Sequence, residues 1–179
     1  MVPLNLLVNP GAELSGLAGW TQNGASAVLQ DTGGLLYSGY NPRTESASFA
    51  GGYGLGGSSS SLLQNVNLLN GIENYTAAQL DAGTLQVEVA FYYQTYYDTF
   101  LPYDDTVVTI TFRAANNTVL STQTIGVLRC SHGSSSWCYS KNLFSIPAGT
   151  RSVDYVMTFT RNSGTKIGAY IDDASLRVV

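Results

Sequence analysis

The sequence contains little charge, and this scarcity limits the partners it can have. Only 11% of the 179 residues are charged, with twelve acids against eight bases and a formal net charge of −4. Proteins that bind nucleic acids or anionic membranes do so with clustered lysine and arginine. The composition therefore predicts neither a nucleic-acid partner nor attachment to an anionic membrane.

Long apolar runs and helical periodicity are also missing. The longest apolar opening, residues 2–8, is far too short to span a bilayer. It also lacks the basic start and small-residue cleavage site of a signal peptide, so we expect that any leader has been removed or never existed. No ten-residue stretch repeats its apolar residues at the 3.6-residue period of a helix. We therefore expect no membrane insertion and no long helix.

Residues that carry catalytic chemistry are few and poorly placed. His132 is the only histidine, and no carboxylate lies close in sequence to orient it, which disfavours a Ser-His-Asp relay. Asp104 and Asp105 are adjacent, whereas glycosidase carboxylates face each other across about 5–10 Å. The glycine-rich run at residues 51–57 lacks the lysine and helix of a phosphate-binding loop. We predict that the chain is not an enzyme.

Cysteine is limited to Cys130 and Cys138, which flank a loop rich in serine and glycine. The spacing fits no zinc signature and the loop is flexible enough to close, so we predict a disulfide and a secreted or cell-surface location. The alternative is two free thiols in a reducing compartment. Asn74 and Asn116 begin sequons, which are possible glycosylation sites if a eukaryote secretes the chain.

The chain is rich in glycine, tyrosine and short β-prone runs. It has 19 glycines and 12 tyrosines, with serine, threonine and asparagine between the runs. About nine such runs follow one another at regular spacing without an internal repeat, and 179 residues are enough to bury one core. We predict an all-β sandwich that forms a single domain over residues 1–179.

The strand at residues 85–97 is predicted to carry a sugar-binding surface. Its odd positions from Val87 to Tyr93 form an apolar face, so Tyr92, Gln94 and Tyr96 point the other way. Pyranose rings stack on aromatic side chains, and their hydroxyl pairs need amide or guanidinium partners. The alternative is that these tyrosines lie under a loop or a neighbouring molecule. Arg113 on the next strand is a candidate neighbour, and candidates at the rim are Tyr37, Tyr40, Tyr53, Tyr97, Tyr103 and Trp137.

The last strand, residues 169–179, places a carboxylate in line with core-directed side chains. Alternate residues of a strand share a face, so Asp172 would lie on the same face as Tyr170 and Ala174. A carboxylate among core-directed side chains needs a partner. Glu13 supplies a second carboxylate, and two carboxylates assisted by backbone carbonyls suit Ca²⁺, which takes six to eight oxygens. We predict a structural calcium site at Glu13 and Asp172, with Asp173 as a further candidate ligand. The alternative is a pair of surface acids that cap loops.

Three motifs, in this order, resemble carbohydrate-binding modules of the galactose-binding-like β-sandwich superfamily. NLLVNPGAE (residues 5–13) with Gly19-Trp20 resembles their opening, and LQNVNL (63–68) resembles an internal strand. IPAGTRSV (146–153) followed by YIDDASL (170–176) resembles their close. The resemblance implies a jelly-roll sandwich of two antiparallel sheets. It also implies a calcium ion held at the positions of Glu13 and Asp172, and a glycan site on the concave sheet face or the loops of one rim.

These observations together predict a secreted, non-catalytic module that binds carbohydrate and contains a structural calcium ion. The alternative is a self-associating structural subunit of an extracellular assembly or adhesive layer. Low charge, a tyrosine-rich surface and long Gly/Ser loops favour this alternative, because exposed aromatic patches commonly mark protein interfaces.

Overall fold

Ten β-strands form the framework of the part of the chain that the computed structural model describes, which is residues 3–100, 102–130 and 136–179. The helical elements of this part are a 3-10 turn at Ser15–Leu17 and a single turn, α1, at Ala77–Asp81. Neither is long and apolar enough to cross a membrane. The strands are β1 (Thr21–Gly24), β2 (Leu29–Asp31), β3 (Ser48–Gly52), β4 (Ser59–Asn67), β5 (Gln86–Thr95), β6 (Asp105–Arg113), β7 (Val119–Leu128), β8 (Cys138–Ser145), β9 (Ser152–Thr160) and β10 (Ile167–Val178).

The strands form two antiparallel sheets of five strands each. Sheet A has the order β1-β4-β9-β6-β7, and sheet B has the order β2-β3-β10-β5-β8. Val87, Val89 and Phe91 of β5 are completely buried between the sheets, as their alternation predicts. Burying each such side chain stabilises the fold by about 1.5–3 kcal/mol. The predicted all-β jelly-roll sandwich is confirmed.

The two ends of the chain lie side by side, as predicted. β10 occupies the centre of sheet B, between β3 and β5. Near the other terminus, the Leu6 N–H donates to the Leu176 carbonyl at 2.8 Å, and the Asn5 side chain donates to the Ala174 carbonyl at 3.0 Å. The segment that precedes Glu13 is therefore tied to the strand that contains Asp172.

A β-bulge in β10 overturns the predicted face of Asp172. Asp172 lies opposite Tyr92 of β5, but Ser175 lies opposite Ala90, so β10 carries one extra residue between them. Asp173, with a φ of 48°, lies within the bulge, and the alternation changes phase there. The prediction that Asp172 shares a face with Ala174 was therefore wrong. Residues that contact the core are Ala169 and Ile171 before the bulge and Ala174, Leu176 and Val178 after it, whereas Tyr170 belongs to a separate cluster outside sheet B.

Residues 32–47, between β2 and β3, fold over part of the outer face of sheet B and are called the cover segment below. Leu36 and Tyr40 of this segment are buried against Ala50 and Tyr170. The Tyr40 ring stacks on that of Tyr170 with centroids 5.6 Å apart, and the Tyr40 hydroxyl accepts a hydrogen bond from the Tyr97 N–H. The segment is therefore an ordered part of the domain.

Cys130 and Cys138 form the predicted disulfide, which joins residues eight positions apart. We expect the double variant Cys130→Ser/Cys138→Ser to lose about 2.5 kcal/mol of unfolding free energy, because removing the bridge frees the loop in the unfolded chain. Denaturant titration of both proteins measures the difference. Equal unfolding free energies would contradict the expectation.

Candidate functional site

Glu13 and Asp172 approach a common space beside Gly11. A Cβ on Gly11 would lie 3.3 Å from Asp172 Oδ1 and 3.5 Å from Glu13 Oε1, so glycine leaves open the room between the two carboxylates. A cavity of about 360 Å³ adjoins this room, and Gly11, Glu13, Thr44 and Asp173 are among the residues that line it. The structure thus brings together the acids that the sequence placed at opposite ends of the chain.

Asp172 is completely buried, and burial raises its pKa to about 7. The nearby Asp173 carboxylate contributes to this rise, whereas hydrogen bonds from the backbone N–H groups of Arg43, Asp173 and Thr44 oppose it. The Arg43 and Thr44 groups donate to Oδ2 at 2.8 and 3.4 Å, and the Asp173 N–H donates to Oδ1 at 2.7 Å. A buried carboxylate is costly without a compensating charge, so a cation beside Oδ1 would favour its ionised form.

Glu13 is held from the cover segment. The Ser46 N–H and hydroxyl donate to its Oε2 at 3.1 and 2.5 Å, and the Ala47 N–H donates to Oε1 at 3.2 Å. Asp173 is held from the same segment, since Arg43 Nη1 and the Thr44 hydroxyl each donate to one of its oxygens at 2.6 Å. Asp173 is already paired with the positive charge of Arg43, which makes it a weaker candidate ligand than Glu13 or Asp172.

The donor set fits a hard cation better than a softer metal. Among the described residues, no cluster of three or more His, Cys, Asp or Glu side chains is placed to hold a metal ion. Calcium does not need such a cluster, because backbone carbonyls and water complete its six to eight ligands. Glu13 and Asp172, facing the room left by Gly11, are compatible with that chemistry.

Tyr92 and Tyr139 form an aromatic pair on the outer face of sheet B. They lie opposite each other in the pairing of β5 with β8, and their ring centroids are 4.7 Å apart. The guanidinium carbon of Arg43 lies 3.5 Å from the centroid of the Tyr92 ring. Tyr139 is 52% exposed, whereas Tyr92 is half-buried. The ring that is open to a ligand is therefore Tyr139.

A strip with small side chains runs beside this aromatic pair. Ala90 lies between Ser175 on β10 and Lys141 on β8. The hydroxyl of Ser175 is buried and has no hydrogen-bond partner in the described part of the chain. The strip therefore has small side chains at Ala90 and Ser175, with one unpaired hydroxyl below its surface.

Charged side chains lie next to Ala90 on the side away from Tyr92. Glu88 lies between Arg177 and Leu143 in the sheet, and its carboxylate is 2.7 Å from Lys141 Nζ and 4.0 Å from Arg177 Nη1. Arg177 Nε is buried and lacks a partner among the described residues. We define the outer-face site by the residues Glu88, Ala90, Tyr92, Tyr139, Lys141, Ser175 and Arg177.

The cover segment hides several of the predicted sugar contacts. Gln94 is completely buried, with its amide nitrogen 3.4 Å from the Asn41 carbonyl, and Tyr40 is 4% exposed. Tyr96 stacks on Tyr37 with ring centroids 3.6 Å apart, and Trp137 packs half-buried against the same cluster. Gln94 and Tyr40 cannot contact a ligand in this arrangement. These side chains instead match the alternative given in the sequence analysis, in which a loop covers them.

Arg113 lies on sheet A and is not a neighbour of Tyr92. Its Nε donates to Asp154 at 2.5 Å and its Nη1 donates to the Asn117 carbonyl at 2.9 Å, beside a polar cleft of about 580 Å³. The predicted adjacency was wrong because the chain crosses from sheet B to sheet A between β5 and β6.

Tyr139 and Arg43 were not identified from the sequence. In β8 the exposed residues Tyr139, Lys141 and Leu143 alternate with half-buried residues, but Ser140 and Asn142 at the half-buried positions give no apolar alternation in the sequence. Their position beside β5 could not be derived, because β6 and β7 separate the two strands in the chain. No sequence pattern placed Arg43 over a tyrosine 49 positions away.

The remaining candidates lie elsewhere. Asp104 and Asp105 are buried and anchor loops: Asp104 accepts from the Asn162 and Gly168 N–H groups, and Asp105 pairs with Arg129. Asn74 and Asn116 are exposed, so glycosylation at either stays a prediction. His132 lies outside the described residues, so the prediction that it takes no part in a catalytic relay is not tested.

Comparison with known proteins gives matches at the level of structure. No family model matches the sequence, and no curated protein matches it. A family 61 carbohydrate-binding module in complex with β-1,4-galactotriose has a TM-score of 0.54 and 16% identity over 97% of each chain. A cyclase from Fischerella sp. TAU has a TM-score of 0.62 and 11% identity over 99% of this chain and 98% of its own.

The enzymatically active domain of tailspike protein 4 of bacteriophage CBA120 also matches, with a TM-score of 0.60 and 13% identity over 98% of this chain. Only 21% of that chain is covered, so the present chain spans about a fifth of its length. Carbohydrate-binding modules of families 16 and 22 share the architecture as well. Identities this low establish the fold alone, which is a β-sandwich that the chain shares with these carbohydrate-binding modules.

Proposed function

We propose that the chain is a non-catalytic domain that binds a glycan at the outer-face site. The observation that carries the proposal is the exposed Tyr139 ring, which lies beside Tyr92 on a sheet face that also carries Lys141 and Glu88. The C–H face of a pyranose stacks on such a ring, and its hydroxyl groups bind to polar side chains. Glu88, the carboxylate among the residues that define the outer-face site, is paired with Lys141, which favours binding over hydrolysis.

The fold shared with a module that was solved with β-1,4-galactotriose supports the choice of ligand class. Affinity electrophoresis in gels containing galactan, xylan or glucan tests the proposal. Titration calorimetry with galactose and β-1,4-galactotriose, xylose and xylotriose, and glucose and cellotriose completes the test. We expect at least one polymer to retard the wild-type protein. Failure to bind any polymer or sugar would overturn the proposal.

We also propose that Ca²⁺ binds between Glu13 and Asp172 as a structural ion. Both carboxylates already hold the cover segment, Glu13 through Ser46 and Ala47 and Asp172 through Arg43. The ion would supply positive charge to the buried Asp172, linking the N-terminal segment, the cover segment and β10. An extracellular location, which the disulfide supports, would provide both calcium and oxidising conditions.

Self-association is a second candidate function, because β7 is a long sheet edge without charge or proline. The edge strands β1 and β2 have only four and three residues, and β8 carries Lys141. β7 has ten residues with no charge and no proline. Long uncharged edges pair readily with other strands. Residues 121–125 of β7 lie between two register shifts, so antiparallel pairing with a second copy would be centred on Gln123.

We expect the double variant Thr122→Lys/Thr124→Lys to abolish any self-association through β7, because lysines on the facing edges would repel each other. Light scattering coupled to size exclusion, at protein concentrations up to about 1 mM, gives the mass. Thr158→Lys on the central strand β9 is the control and should leave the mass unchanged. A wild-type protein that stays monomeric throughout would contradict this second function.

A further inference from the structure

We propose that Arg43 closes one end of the outer-face site, so that the site binds the end of a glycan chain rather than its interior. This inference rests on the proposed glycan site and specifies its ligand. It assigns Arg43 two roles: it limits how far a chain can extend, and it donates hydrogen bonds to the terminal sugar.

Arg43 occupies the position that a second stacked sugar would need. Its guanidinium carbon is 3.5 Å from the centroid of the Tyr92 ring, which is the distance of direct contact. A pyranose stacks on a tyrosine at a similar height, so guanidinium and sugar cannot share this ring face. The neighbouring Tyr139 remains open.

The β-bulge of β10 and the cover segment hold Arg43 in this position. Arg43 Nη1 donates to Asp173 at 2.6 Å, and the Arg43 backbone N–H donates to Asp172 at 2.8 Å. The Arg43 and Asp173 side chains are 33% and 31% exposed, so solvent screens their ion pair only in part. Within the described part of the chain, the Arg43 side chain donates its hydrogen bond through Nη1, so Nε and Nη2 are not engaged by the protein.

The outer face is open on only one side of Arg43. Towards the C-terminal end of β5, the cover segment buries Gln94 and Tyr40 lies on Tyr170. In the opposite direction Lys141 and Leu143 are about half exposed. A glycan chain can therefore leave the site past Leu143, but it cannot continue past Arg43. The unit on Tyr139 is then the terminal one, and its hydroxyls face the guanidinium.

Calorimetry with the three monosaccharide and trisaccharide pairs named above tests this inference. For the wild type, we expect the dissociation constants of the trisaccharide and monosaccharide to agree within about threefold, because the terminal unit makes most contacts. Arg43→Ala should expose the Tyr92 ring and make the trisaccharide bind at least about tenfold more tightly than the monosaccharide. Asp173→Asn, which keeps the arginine but weakens its anchor, should shift the ratio in the same direction.

Arg129→Ala, which removes a distant arginine paired with Asp105, is the matched control and should leave the ratio unchanged. Thermal unfolding of each variant checks that it is folded. One outcome would overturn the inference and leave the proposed function intact. In that outcome Tyr139→Ala removes wild-type binding, but Arg43→Ala and Asp173→Asn leave the ratio of monosaccharide to trisaccharide dissociation constants unchanged. Absence of wild-type binding to every probe would overturn both.

Discussion

Protonation of Asp172 is expected to contribute up to about 4 kcal/mol to the unfolding free energy at pH 4, in protein freed of cations by a chelator. This contribution is lost as the pH rises to 7 and above. Burial raises the pKa of this carboxyl to about 7 in the folded protein, whereas an aspartic acid in an unfolded chain has a pKa of about 3.9. The folded state therefore binds this proton more tightly. The contribution is complete below about pH 4 and decreases as the pH rises through 7.

Asp172→Asn provides the reference, because asparagine does not titrate. Urea unfolding of both proteins at a series of pH values gives a difference curve in which other titrating groups largely cancel. A difference that stays constant between pH 4 and 7.5 would contradict the assigned burial and charge environment.

Calcium should restore this stability at neutral pH. Binding at a concentration about a hundredfold above the dissociation constant would add about 2.7 kcal/mol and raise the thermal midpoint by several degrees. Gly11→Ala is the matched variant, because its methyl group would lie 3.3 Å from Asp172 Oδ1 and fill the room between the carboxylates. We expect this variant to unfold near the wild-type midpoint without calcium and to show no shift with it. An equal shift in both proteins would place the ion elsewhere.

Local sequence patterns predicted those parts of the fold that depend on alternation. Val87, Val89 and Phe91 are buried because strand period alone sorts them to one face of β5. The same rule failed in β10, where one inserted residue reverses the faces after Asp172. A bulge depends on backbone pairing with a neighbouring strand, and a single sequence does not display that pairing. Glu13 and Asp172 nevertheless lie on either side of Gly11, in the two terminal segments that close the sandwich, and a calcium ion between them stays a prediction.

Only one of the two tyrosines in the outer-face site could be predicted, because the sequence does not show which strands are neighbours in a sheet. Tyr92 was identified from its own strand, but its partner Tyr139 belongs to β8, which the chain reaches after two strands of the other sheet. Arg113 was assigned to the site because β6 follows β5 in sequence, yet these strands belong to opposite sheets. Gln94 points outward as its position requires, but the cover segment buries it. Strand direction is local information, whereas strand order and loop placement depend on the whole fold.

Removing the Tyr139 ring should have the largest effect on glycan binding. We expect Tyr139→Ala to weaken binding of the best trisaccharide about 30-fold, close to 2 kcal/mol, because the variant loses the exposed stacking surface. Tyr139→Phe should bind within about threefold of the wild type if the ring rather than the hydroxyl carries the interaction. Tyr53→Ala, which removes a ring that is 40% exposed and outside the outer-face site, controls for a general loss of aromatic surface.

Tyr92→Ala separates this site from the one first predicted on β5. Because the Tyr92 ring is half-buried and Arg43 lies against it, its truncation should weaken binding less than Tyr139→Ala does. Calorimetry gives both affinities, and the thermal midpoints show whether the loss of the cation–π contact has disturbed the fold. A larger loss for Tyr92→Ala in a folded protein would mean that the ligand displaces Arg43 and stacks on Tyr92. The terminal sugar would then lie on β5 rather than on β8.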